Sequence, residues 1–189
     1  MRLNRAYEAF VAHPASAEAQ MEFLDAFPDD WMTYLNTYGF DDSRNSLYLQ
    51  LSKHSQALRD GLTLVADSIY CTKLLSLTDG ATDWVDDTSA ELQATLCVSL
   101  ESPRGEAMLQ HIVKLSRAKQ LMFWQFYWSN TLPKQSGNKR FAELATRMAN
   151  AGLAAEVAVM GEAFANFWGK TSFHGFGFVG GRPYEGKDF

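Results

Sequence analysis

Apolar side chains in this chain recur at three- and four-residue spacing, segment after segment, and no run alternates convincingly with period two. Residues three or four apart share one face of an α-helix, whereas a half-buried strand needs every second residue apolar. The pattern therefore predicts an all-α protein. Caps and breakers divide it into about seven helical segments, expected to form an irregular bundle or a short solenoid-like stack. An irregular Gly/aromatic C-terminal tail follows.

The first segment runs over 3–12 with Tyr7, Phe10 and Val11 on one side. It stops at His13-Pro14, because proline disfavours helical backbone in the residue before it. Ser16 suits the N-cap of the second, whose inner face carries Met21, Leu24 and Phe27. Pro28, Asp29 and Asp30 suit the first turn of a third. Trp31, Leu35 and Tyr38 follow at i, i+4 and i+7, and Gly39 stands where a left-handed C-terminal residue is expected. After the polar turn 41–45, Leu47, Leu51, His54 and Leu58 repeat at helical spacing up to a stop or kink at Asp60-Gly61. Leu62, Val65, Ile69 and Leu74 or Leu75 mark another stretch over 62–78.

Thr88 and Glu91 have capping-box spacing for a helix running to about Leu100. Ser102-Pro103 opens a helix from 103 to about 130, with Met108, Ile112, Leu115, Met122 and Phe126 inward and Gln110, Lys114 and Arg117 outward. Beyond the loop 133–137, the last helix places Leu153, Val157, Met160, Phe164 and Phe167 on one stripe. Ala149, Ala151, Gly152, Ala154 and Ala155 make part of it thin enough for another helix to approach. The reading is one helical domain over 1–172. The tail over 173–189, FHGFGFVGGRPYEGKDF, packs on that domain or on a partner.

Charge and cysteine usage narrow the function classes. With 17 Lys and Arg against 22 Asp and Glu, the net charge is −5, which lacks the long-range field of a nonspecific nucleic-acid binder. Cys71 and Cys97 lie in apolar helical surroundings and suit a reducing compartment better than a disulfide framework. The N-terminal stretch interrupts its apolar residues with Arg5, Glu8 and His13, so no secretory leader is expected. No run of 18 apolar residues offers a membrane span. A soluble, cytoplasmic protein is the expectation.

Each candidate for chemistry has a plainer reading beside it. His13, His54, His111 and His174 fall one to a segment and form no helical ligand pair, so no metal is expected. His54 lies on an apolar stripe, as a hydrogen-bonded core histidine would. Asp83, Asp86 and Asp87 lack a calcium-loop pattern and suit a helix N-terminus. Cys71, with Asp67 before it and Lys73 after it, sits among Ile69, Leu74 and Leu75 as a small hydrophobe rather than a nucleophile. Gly175, Gly177 and Gly180 match G-x-G-x-x-G, but after a helix rather than a strand; no nucleotide or other cofactor is expected. The stretch 121–128, LMFWQFYW, is core, or half core and half interface.

Phe23-Leu24-Asp25-Ala26-Phe27-Pro28-Asp29-Asp30-Trp31, with Tyr38-Gly39-Phe40 and Leu47-Tyr48 beyond it, resembles a segment of small helical proteins of gut Bacteroidetes. The resemblance covers about a fifth of the chain. It implies a helical cytosolic protein and carries no activity with it.

Three functional readings follow. The first is a non-enzymatic protein–protein interaction module (an adaptor, inhibitor or regulatory partner), a homo-oligomer being one form of it. Its anchors would be Trp124, Trp128, Phe173, Phe176 and Phe178. The second is an enzyme or small-ligand binder with a pocket between helices built from Tyr34, Tyr38, His54, Asp67 and His111. The third, nucleic-acid binding through Lys114, Arg117, Lys119, Lys139 and Arg140, runs against the acidic balance.

Overall fold

The structure, a computed structural model, describes residues 2–39, 46–81, 87–129 and 134–169. Among them the elements are all helical: α1 (Arg2–Ala12), α2 (Ala17–Ala26), α3 (Trp31–Tyr38), α4 (Leu51–Gln56), α5 (Asp67–Ser76), α6 (Asp87–Glu101), α7 (Gly105–Ile112), α8 (Arg117–Trp128), α9 (Lys134–Asn150) and α10 (Ala154–Gly169). A 3₁₀ turn, Tyr48–Gln50, leads into α4, and a π turn, Ala57–Gly61, leaves it. The all-α expectation holds. The helices are more numerous and shorter than expected, because short polar caps break stretches whose apolar pattern runs on.

Ser16 caps α2 as expected, its side chain accepting from the Ala19 amide at 3.2 Å. At α3 the cap is Asp30, which accepts from the Thr33 amide and hydroxyl, both at 2.8 Å. Pro28 and Asp29 therefore precede the helix instead of forming its first turn. The bonds from Thr33 also hold the Asp30 carboxyl below its ordinary range. Gly39 is not left-handed: its φ is −55°. Glycine is needed there because a Cβ would stand 2.6 Å from the Leu35 carbonyl oxygen.

Two expected long helices are each broken. The stretch 103–130 divides into α7 and α8 around a turn in which Ser116 caps α8. The last helix divides into α9 and α10 at Gly152, whose φ is +77°. The Leu153 amide donates to the Met148 carbonyl at 2.8 Å and the Gly152 amide to that of Ala149 at 3.0 Å. This bond pair, with glycine left-handed, is the Schellman ending of α9. Thr88 lies inside α6 and spends its hydroxyl on the Tyr38 carbonyl at 3.2 Å, so it is not the expected cap.

The chain forms two compact units, Met1–Ile112 and Val113–Phe189, where the sequence suggests one domain over 1–172; the expected tail 173–189 lies outside the described residues. In the first unit α1 packs on α2, α4 on α6, and α7 on α5 and α6. An aromatic cluster centres it: Phe10 stacks on Phe23 at 5.5 Å, Phe23 meets Phe27 edge-on at 5.9 Å, and Tyr34 lies 5.1 Å from Tyr38. Burying each such ring contributes about 1.5–3 kcal/mol. A Cβ on Gly61 would run into the Phe10 ring, so glycine lets the π turn close over this cluster. Val11 and Ile69, read as inward-facing, are exposed.

In the second unit α10 packs against α8 and α9. Trp128 meets Phe164 edge-on at 4.9 Å, and Phe164 stacks on Phe141 at 4.7 Å. No described helix is long and apolar enough to cross a membrane.

Candidate functional site

Two of the five expected interface anchors, Trp124 and Trp128, lie among the described residues, and both are buried. Trp124 and Trp128 are 0% and 3% exposed. Rings crowd them on the helix itself: Phe123 lies edge-on to Trp124 at 4.9 Å, and Tyr127 to Trp128 at 4.7 Å. They are core residues of the second unit, because a six-residue stretch with five aromatics, 123–128, gains more from burying them than from displaying them. Phe173, Phe176 and Phe178 lie outside the described residues.

Of the expected pocket residues, three converge and two do not. Tyr38 and His54 share a buried hydrogen bond, Oη to Nδ1, of 2.9 Å. Tyr34 lies beside them and donates to the Thr88 carbonyl at 3.2 Å, tying α3 to α6. Burial pushes the Tyr38 phenol above its ordinary value and pulls His54 down to about 4, with the nearby Lys53 charge adding to the second shift. The pair at neutral pH is thus phenol and neutral imidazole. Tyr7 packs on the imidazole at 4.5 Å, and His54 has no exposed surface. A sealed pair of this kind meets no substrate.

Asp67 lies elsewhere, bound to Arg104 at 3.0 Å. Arg104 also donates to the Leu62 and Val65 carbonyls at 2.6 and 2.8 Å, holding the turn before α5. His111 bonds the Ala107 carbonyl of its own helix through Nδ1 at 2.9 Å. Neither contributes to a pocket with His54. Cys71 is buried, and desolvation raises its thiol to about 11, so it has no thiolate to offer. Asp83 and Asp86 lie outside the described residues, and Asp87 accepts a hydrogen bond from Tyr48 at 3.0 Å.

An open concave feature of the first unit lies between the C-terminal end of α2 with the residues after it and the outer side of α5. This groove, of about 530 Å³, has Leu24, Asp25 and Asp29 on one wall and Ser68, Ile69, Thr72, Lys73 and Ser76 on the other. Ser68, Thr72 and Ser76 recur every fourth residue, so α5 lines it with one stripe of small hydroxyl side chains. Thr72 and Ser76 donate to the Ser68 and Lys73 carbonyls at 2.7 and 2.8 Å.

Lys73 is the unusual group here. Its side chain is 9% exposed, yet its ammonium pairs with Asp29, which is 82% exposed. The aliphatic stem is buried and the charged head reaches the surface carboxylate. Sequence reading took Asp29 as a helix-dipole acid and Lys73 as a neighbour of Cys71. The two stand 44 residues apart, and only the fold brings them together. The signal open to inspection was the hydroxyl stripe of α5.

Comparisons with protein-family models, with curated proteins and with solved structures give no match to this chain.

Proposed function

We propose that the chain is a non-enzymatic protein-interaction module that docks a short segment of a partner protein in the groove between α2 and α5. The supporting observation is the groove's make-up: an exposed Ile69 facing the wall that holds Leu24, flanked by hydroxyls and carboxylates. An apolar contact with polar groups around it is how helical surfaces hold peptide segments. The Thr72 and Ser76 hydroxyls donate to carbonyls of their own helix, which suits binding better than nucleophilic catalysis. A small-ligand site at Tyr34, Tyr38 and His54 lacks support, because those side chains fill their own space.

The test is selection of a random peptide library on the native protein, with each enriched peptide re-tested on Thr72→Trp. Thr72 is exposed, so the indole fills the groove without disturbing the core. Peptides that bind the native protein and lose at least tenfold in affinity on the variant are the expected result. Enriched peptides that ignore the indole, or no enrichment, would remove the groove from consideration.

A further inference from the structure

We infer that the partner segment is basic: an extended stretch of about four residues carrying a lysine or arginine next to a large aliphatic side chain. This deepens the docking reading above and rests on it.

The length follows from α5. Its lining residues run from Ser68 to Ser76, which at 1.5 Å per residue is about 12 Å, the reach of about four extended residues.

The charge follows from which groups remain available. Lys73, the one cation among the described residues that line the groove, is nearly buried and already paired with Asp29. Asp29 turns one oxygen to Lys73 and keeps the rest of an exposed carboxylate open to solvent. Asp25, in the last turn of α2, is exposed. The charge an incoming segment meets is therefore negative, on a chain whose net charge is −5. Ile69, 45% exposed on the opposite wall, supplies the apolar contact. A cation at the α2 wall and an aliphatic side chain over Ile69 satisfy both walls at once. An acidic segment would have to displace Asp29 from Lys73 and then sit beside two carboxylates.

The experiment is an NMR titration of the full chain with Ac-Leu-Arg-Leu-Gly-NH₂ and with the same peptide bearing glutamate or norleucine in place of arginine, each up to millimolar concentration. The arginine peptide should shift the α5 amides and bind about fivefold more tightly than either of the others. Asp25→Asn should weaken it two- to fivefold, and raising the salt should weaken it further. Since Asp29→Asn alone leaves a buried ammonium unpaired, the second variant is Asp29→Asn with Lys73→Met, which removes both charges together. It should also weaken the arginine peptide.

Equal or tighter binding of the glutamate peptide would overturn the inference and make Lys73 the recognising charge, with the groove still a docking site. So would spermidine displacing the arginine peptide at equal concentration, which would assign the groove to free polyamines. Failure of all three peptides to shift α5 would sink the docking reading itself.

Discussion

Burial of His54 against Tyr7 and Tyr38 fixes the sign of one pH dependence. Its folded value, about 4, lies below the 6.5 of a free imidazole. Between those values the unfolded chain binds a proton that the folded chain refuses, so this group's contribution to stability is complete above 6.5 and is lost as the pH falls toward 4. From pH 7 to pH 5 the loss is about 2 kcal/mol. Urea midpoints at those two pH values should therefore drop more in the native protein than in His54→Gln, whose amide can still accept from Tyr38 but does not titrate. Parallel drops in the two proteins would mean that His54 takes up its proton without opening the core. Its identity as a hydrogen-bonded core histidine was legible in the sequence from its place on the stripe with Leu51 and Leu58. Its partner was not, because Tyr38 lies 16 residues away in the chain.

Gly152 shows why the helices were harder to count than to recognise. The apolar stripe continues across it, and period alone reads one helix where there are two. What ends α9 is a left-handed backbone with its two reversed hydrogen bonds. A Cβ at this position meets nothing within 4 Å, so Gly152→Ala tests the backbone and not the packing. The substitution should destabilise the protein by about 1 kcal/mol through the left-handed penalty, and Gly152→Asn should cost less. Thermal unfolding followed by circular dichroism measures both. An alanine variant as stable as the native protein, with increased helicity, would mean that α9 and α10 form one helix as the periodicity suggests. Ser116 hides the other break in the same way, because a serine beside Arg117 and Lys119 reads as the wet side of a continuing helix. Periodicity senses which side chains are buried, whereas helix ends depend on one or two backbone groups.

At the scale of the whole molecule, composition and pattern carried the all-α class, while the α2–α5 groove depends on contacts between residues 44 apart that no local pattern encodes. Net charge is the molecular property that sequence states outright, and it bears on the nucleic-acid reading. Of the five basic residues in that reading, Arg117 pairs with Glu162, and Lys139 lies 3.9 Å from Glu143. Acids on α10 and α9 thus offset part of the local positive field, on top of an overall charge of −5. Phosphate binding requires several unopposed cations whose contacts release counterions, and affinity then falls steeply with salt. The expected outcome is no measurable binding of a fluorescein-labelled 20-base-pair duplex or single strand by anisotropy, even at about 50 mM salt, where such contacts are strongest. Because the fields of Glu162 and Glu143 oppose binding, Glu162→Gln with Glu143→Gln is the variant most able to reveal a masked site. Binding by that variant alone, lost as salt is raised, would show a basic surface held in check by its acids. Binding by the native protein would overturn the charge argument itself.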